Sequence, residues 1–83
     1  MFYVYLLKSP VHGQICVGYT ADLKRRYAEH GILPRHQGWK LIYYEAYLNS
    51  EDAVKREQQL KQYGSSLARL KKRLPGSLDL SRI

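Results

Sequence analysis

The order of apolar and polar positions along the chain predicts three strands. Residues 2–7 are aromatic or branched, which is typical of a buried strand. A turn containing Pro and Gly leads from them to a second strand over residues 14–19. This short link favours an antiparallel hairpin. Residues 39–47 are again rich in Leu, Ile and Tyr and predict the third strand.

Capping and stop signals predict the helices. Thr20 is a suitable N-cap for a helix over about residues 21–30, which Gly31 should end. Asn49 is followed by Ser and two acids, and this pattern predicts the start of a second helix that Gly64 should end.

A short third helix follows from residue 65 or 66 up to residue 74, where a Pro-Gly pair terminates it. The order β-β-α-β-α-α predicts an α+β fold, with a three-stranded, mainly antiparallel sheet flanked by helices. We expect one domain over residues 1–74 and a C-terminal tail over residues 75–83.

The charge balance narrows the choice of partner. Lys and Arg number 14 against 7 Asp and Glu, a net charge of +7. That excess favours a polyanion, nucleic acid before a membrane surface. No apolar run is long enough for a transmembrane helix. The single cysteine excludes a disulfide within the chain and a cysteine-built zinc site, so we expect a reducing cytoplasm.

One carboxylate interrupts the apolar stripe of the second predicted helix. Helical spacing puts Glu57 on the same stripe as Ala53, Val54 and Leu60. A carboxylate there is unfavourable unless it is paired or binds a metal. The alternative is a salt bridge to an Arg, or a position at the rim of the stripe.

The first predicted helix carries a candidate phosphate site. Arg26 and His30 lie one turn apart on one face, whereas Arg25 should point away. The guanidinium of an Arg is a planar fork of donors that suits phosphate oxygens. The alternative is that Arg26 extends its head into water and that His30 only complements the helix C-terminus.

Two tyrosines share one face of the first predicted strand. Tyr3 and Tyr5 lie two positions apart and therefore point to the same side of the sheet. Such tyrosines more often pack in a core than take part in chemistry. Residue pattern alone favours the packing role.

Basic residues are concentrated between residues 61 and 73, which contain no acid. This stretch could follow a phosphate backbone, or it could simply be a solvated helix face. Its basic residues, followed by three more that could extend the patch, are Lys61, Arg69, Lys71, Lys72, Arg73, and then Lys24, Arg25 and Arg35.

In their order and spacing, these residues resemble the GIY-YIG nuclease family, especially its small stand-alone bacterial members. The resemblance covers about residues 2–74 and includes a strand-to-helix run that ends in an arginine and a helix that carries a glutamate. The first motif is represented by Tyr3, Val4 and Tyr5, and the second by Cys16, Val17 and Gly18.

The resemblance implies a divalent-metal-dependent endonuclease that acts on DNA in repair, recombination or processing. Tyr5 then corresponds to the tyrosine that activates water, Arg26 to the arginine on the scissile phosphate, and Glu57 to the ligand of one Mg²⁺ or Mn²⁺. His30 corresponds to an auxiliary group, and Gly18 to the glycine that permits close strand packing.

One departure from the family pattern keeps a second function open. Cys16 stands where the second motif has tyrosine, which favours the alternative of a nucleic-acid-binding module that is catalytically weak or inactive. A third alternative, a structural protein with an aromatic binding face, has only the eight tyrosines in its support. Selectivity would come from DNA structure, a homodimer or a protein partner.

Overall fold

The computed structural model describes residues 1–32, 38–62 and 64–79, with the backbone alone over residues 29–32. The observed order contains every predicted element and adds a fourth, short helix. It runs β1 (Phe2–Lys8), β2 (Ile15–Thr20), α1 (Leu23–Ile32), β3 (Lys40–Tyr47), α2 (Ser50–Gln62), α3 (Gly64–Lys72) and α4 (Pro75–Leu78).

The three strands form one antiparallel sheet in the order β2-β1-β3, which confirms the predicted fold class. The turn between β1 and β2 requires Gly13, whose φ of 67° is unfavourable for other residues. The central strand aligns Tyr5 with Gly18 on one side and with Tyr44 on the other. β1 is therefore the central strand, and β2 and β3 form the two edges of the sheet.

The hydrophobic core lies between one face of the sheet and helices α2 and α3. Val4 and Leu6 of β1 contribute to it, together with Ala53 and Leu60 of α2. A bulge shifts the register of β3 between the partners of Leu6 and Leu7, and two successive residues of β3 then contribute to the core. Helix α1 lies on the opposite face, beside the side chains that alternate with the core residues.

The helix boundaries differ from the predicted ones. Asp22, rather than Thr20, caps α1: its Oδ1 accepts from the N–H of Arg25 at 3.1 Å, whereas the Thr20 hydroxyl accepts from the N–H of Asp22 in the preceding turn. Helix α1 continues through Gly31, which was predicted to end it, whereas α2 ends at Gln62, close to the predicted end at Gly64. A glycine favours a helix end but does not impose one.

Residues 75–78 pack against the domain. Pro75 occupies the first turn of α4, where its missing N–H costs no hydrogen bond. Leu78 packs against the core, and Lys8 Nζ donates to its carbonyl oxygen at 2.6 Å. In the part of the chain that the structure describes, no helix has the length and apolarity needed to cross a membrane.

Candidate active site

The ring of Tyr5 crosses from the central strand to β2 and lies over Gly18. Tyr5 is 4% exposed, so its side chain is packed within the protein, as the residue pattern favoured. A methyl group placed on Gly18 would overlap the Cζ and Oη atoms of that ring. Glycine is therefore required here to make room for the phenol. The hydroxyl is consequently directed toward the edge of the sheet that β2 forms.

Replacing Gly18 by Ala should displace Tyr5. The added methyl group overlaps the ring, and overpacking of this kind costs about 1–3 kcal/mol. We expect Gly18→Ala to lower the free energy of unfolding by that amount in urea denaturation. The double variant Tyr5→Leu, Gly18→Ala should recover much of the loss because a shorter side chain leaves room. A Gly18→Ala variant as stable as the wild type would contradict this packing.

The C-terminal end of β2 leads into a basic cavity. Thr20, Asp22, Arg25 and Arg26 line this cavity of about 240 Å³, and both arginines are exposed. Both arginines border this cavity, although helical spacing places them about 100° apart around α1. The cavity lies at the start of α1, so side chains of successive residues in the first turn can border it. Two guanidinium groups beside one cavity suit a phosphate.

Glu57 lies at the side of the apolar stripe of α2 rather than at its centre. Ala53 and Leu60 are fully buried, whereas the side chain of Glu57 is 21% exposed. Its Oε2 atom lies 3.4 Å from Nζ of Lys61, one turn further along the helix. The rim position that we considered as an alternative is therefore the observed one. An ion pair this exposed contributes little to stability, so Lys61 can give way to another cation.

The position of Glu57 around the helix directs it toward β2. Val54, three residues earlier on the same side, borders a cavity together with Tyr19 of β2. Arg56, about 100° away around the helix, instead reaches Glu45 of β3. On α2, Val54 and Glu57 thus lie on the side nearer to β2, and Arg56 lies on the side nearer to β3.

Glu57 offers one carboxylate as a ligand for a metal ion. Among the residues that the structure describes, no three His, Cys, Asp or Glu side chains gather into a group that could hold a metal ion. Mg²⁺ commonly keeps several waters and takes one or two protein carboxylates. The partly exposed Glu57 fits that mode of binding and does not fit a metal held wholly by protein ligands.

The remaining predicted residues are distributed over both layers. Cys16 lies on the same face as Tyr5, directly across from Leu7. The side chain of His30 and the whole of Arg35 lie outside the described residues. Lys24 and Arg25 are exposed on α1. The other predicted basic residues lie on α2, on α3 or just after α3, on the opposite side of the sheet. Of these, Lys71 is half-buried and the rest are exposed: Lys61, Arg69, Lys72 and Arg73.

Sequence reasoning missed a polar network at the other edge of the sheet. Glu45 of β3 accepts hydrogen bonds from Tyr43 Oη at 2.7 Å and from Tyr47 Oη. Arg56 of α2 donates to it from Nε at 2.9 Å and from Nη2 at 3.1 Å. We call these four residues the carboxylate network. The signal was present, because Tyr43, Glu45 and Tyr47 alternate along one strand face that borders the core, where an acid needs partners.

The carboxylate network shifts the pKa values of its members in opposite directions. Burial acts to raise the pKa of Glu45, but the hydrogen bonds from Arg56, Tyr47 and Tyr43 outweigh it and hold this pKa below 4.5. Burial, followed by the hydrogen bonds to Glu45, raises the pKa of Tyr43 and of Tyr47 to about 12. The folded protein therefore favours an ionised Glu45 and neutral tyrosines.

Stability should consequently decline at both ends of the pH scale. The contribution of Glu45 is present above 4.5 and is lost as pH falls through its lower folded pKa. The contribution of Tyr43 and Tyr47 is present below 10.0 and is lost as pH rises through about 12. We expect Glu45→Gln to cost about 1–3 kcal/mol near neutral pH, because Arg56 loses its charged partner.

Urea denaturation as a function of pH measures this effect, with the exposed Glu51→Gln on α2 as the control. Both limbs of the stability curve should be flatter in Glu45→Gln than in the wild type. Glu51→Gln should retain the wild-type shape because Glu51 lies outside the network. Superimposable curves for Glu45→Gln and the wild type would show that the network does not stabilise the fold.

Comparison with known proteins identifies the family of this chain. The family model of the GIY-YIG catalytic domain matches residues 1–73, which is most of the chain. No curated protein and no solved structure is similar enough to count as a match. The matched region includes β1, β2, α1, β3, α2 and α3, and with them Tyr5, Gly18, Arg26 and Glu57. The chain belongs to the GIY-YIG family, whose domain is of the nuclease type.

Proposed function

We propose that this protein is a divalent-metal-dependent endonuclease that hydrolyses phosphodiester bonds of DNA. The observation that carries the proposal is the match of the GIY-YIG catalytic domain over residues 1–73, which includes Tyr5, Arg26 and Glu57. In the structure, the Tyr5 ring lies over Gly18, Arg26 borders a cavity at the end of β2, and Glu57 lies half-buried on α2. The net charge of +7 adds a general attraction for the phosphate backbone.

Each of these groups meets a different need of phosphodiester hydrolysis. Arg26 would bind the non-bridging oxygens and neutralise the charge that develops on them. Glu57 would hold one Mg²⁺ or Mn²⁺ through a carboxylate oxygen. The bound ion supplies charge stabilisation for the departing oxygen. Lys61 forms an ion pair with Glu57 in the structure. This pair would break when the carboxylate binds a metal ion.

Tyr5 would take part in transferring the proton from water. A free tyrosine titrates at about pH 10, which makes it a weak base at neutral pH. The phenol therefore needs a cation nearby or a second group to accept the proton. Arg26 supplies positive charge at the end of β2, and His30 on the same helix is the proposed acceptor of the proton.

The proposal is tested by incubating the purified protein with supercoiled, linear duplex and branched DNA. Each substrate is offered with Mg²⁺, with Mn²⁺ and with a chelator. We expect strand cleavage of at least one substrate with either metal and none with the chelator. A folded protein that binds DNA but leaves every substrate intact with both metals would contradict the proposed activity.

The second candidate function is DNA binding without efficient cleavage. Cys16 favours it, because this half-buried residue stands at the position of the motif tyrosine. Substitution Cys16→Tyr distinguishes the two candidates in the same assay. A strong nuclease should keep or modestly raise its rate, whereas an inactive binding module that lacks this hydroxyl should gain cleavage only in the variant.

Three consecutive basic residues at and just beyond the end of α3 provide a test of how DNA is held. Each phosphate contact on duplex DNA contributes about −0.9 to the slope of log K against log salt. We expect replacement of Lys71, Lys72 and Arg73 together by Ala to flatten that slope by about one unit or more. Binding titrations at several salt concentrations measure it. An unchanged slope would place the DNA over Lys24 and Arg25 of α1 instead.

A further inference from the structure

A cavity of about 400 Å³ lies between α1 and the face of the sheet opposite the core. We call it the tyrosine cavity; its walls include Tyr3, Tyr27, Tyr44, Leu41 and Lys24. Its volume is within the range of cavities that bind small organic groups. Tyr44 is 54% exposed and Tyr27 is 37% exposed, although both are large aromatic residues. Ligand cavities in proteins are lined mainly by hydrophobic and aromatic side chains with a few polar groups, and this lining has that character.

The aromatic walls are held in place before any ligand arrives. The rings of Tyr3 and Tyr44 meet edge to face, with centroids 5.9 Å apart and an interplanar angle of 69°. The hydroxyl of Tyr27 donates to the carbonyl oxygen of Trp39 at 3.3 Å and thereby ties α1 to the start of β3. A ligand that stacks on these rings would therefore lose little affinity to ordering them.

The surroundings of the tyrosine cavity are cationic. Lys24 forms part of its wall. Ala21 and Asp22 border both this cavity and the one lined by Arg25 and Arg26, so the two cavities adjoin. The carboxylate of Asp22 is engaged with the N–H of Arg25 at the start of α1. An aromatic wall beside a row of cations suits a ligand that is flat at one end and anionic at the other.

A nucleotide has that chemistry. Its base stacks on aromatic rings, whatever its identity, and its phosphate pairs with Lys or Arg. A base inside a regular duplex is stacked between its neighbours and cannot enter a cavity, so the occupant must be an unpaired base. A purely apolar ligand would gain nothing from the three neighbouring cations.

We propose that the tyrosine cavity binds an unpaired base of a DNA strand while the adjoining phosphate lies against Arg25 and Arg26. This inference rests on the proposed function, because it assumes that DNA is the substrate. It deepens that function by assigning a preference for DNA with an unpaired segment, such as an overhang or a branch. Tyr44 is the main stacking surface, since it is the most exposed ring.

The test measures equilibrium binding without cleavage, with Glu57→Gln protein in the presence of a chelator. The probes are a blunt duplex, the same duplex with a single-stranded overhang, and that overhang with one abasic position. A fluorescent base analogue in the overhang reports stacking through quenching. Tyr44→Leu removes the ring and Tyr44→Phe retains it, and both are tested in the Glu57→Gln background. Because Tyr44 is more than half exposed, both substitutions are compatible with folding.

We expect tighter binding to the overhang than to the blunt duplex, together with quenching of the analogue. Tyr44→Leu should weaken binding to the overhang by roughly 5- to 150-fold, the usual range for losing one stacking contact. Tyr44→Phe should bind like the parent protein. When the abasic position replaces the base that stacks on Tyr44, Tyr44→Leu and Tyr44→Phe should bind the probe with the same affinity.

Failure of this inference is distinguishable from failure of the proposed function. DNA binding that is the same for all probes and for both Tyr44 variants would overturn the tyrosine cavity as a base site and leave the nuclease proposal standing. An equal loss on every probe in Tyr44→Leu would also overturn it, since the effect would not involve a base. Absence of binding to any DNA would overturn both.

Discussion

Substitution Glu57→Gln should abolish metal-dependent cleavage of DNA while the protein remains folded. The amide preserves the shape of the side chain and removes the charge that a hard cation requires. The ion pair joins an exposed Lys61 to a partly exposed Glu57, so its loss should change the free energy of unfolding by less than about 1 kcal/mol. Single-turnover cleavage with Mg²⁺, together with urea denaturation, separates the catalytic effect from any effect on folding.

Glu51→Gln is the matched control for that variant. Glu51 lies on the same helix, is exposed, and carries the same functional group. We expect it to cleave DNA at close to the wild-type rate. Undiminished Mg²⁺-dependent cleavage by Glu57→Gln would refute the assignment of Glu57 as the metal ligand. Equal losses in both variants would indicate a general effect of charge on DNA binding.

Substitution Arg26→Ala should lower the rate of cleavage by about two orders of magnitude or more. A contact to charge that develops in the transition state is typically worth that much. Arg25 lines the same cavity but corresponds to no functional residue of the family resemblance, so Arg25→Ala should mainly weaken DNA binding. Comparing rates at saturating protein separates the chemical step from binding.

Added guanidinium provides a further check on Arg26. If the side chain acts through its charge and its donors, free guanidinium should partly restore cleavage by Arg26→Ala and should not stimulate Arg25→Ala. A larger loss of rate in Arg25→Ala than in Arg26→Ala would mean that the functional arginine is the other one. Their shared cavity makes this comparison necessary, because helical spacing alone does not separate them.

The elements of the fold were predictable where local signals act without competition. Three apolar segments gave the strands, and the Oδ1 atom of Asn49 accepts from the N–H of Glu51 at 2.8 Å, as expected for the start of α2. Helix ends at glycines were not predictable in the same way. Gly31 lies within α1, whereas α2 ends at Gln62, two residues before Gly64.

The candidate site was predictable in its components but not in its arrangement. Periodicity and family resemblance both selected Glu57, although its rim position depends on how α2 packs. The overlap of Tyr5 with Gly18 depends on strand register, which sequence alone did not fix. Glu45 and Arg56 are eleven positions apart and lie on different elements. The local sequence pattern does not indicate which residues of different elements will pair.

The most direct test of the central claim is the dependence of wild-type cleavage on a divalent metal. The cleavage rate of a DNA substrate is followed with Mg²⁺, after addition of excess chelator, and after Mg²⁺ is restored. The proposed site predicts cleavage that stops with the chelator and resumes with the metal, because Glu57 can act only by holding the cation. Cleavage that continues unchanged in the chelator would contradict a metal-dependent site at Glu57.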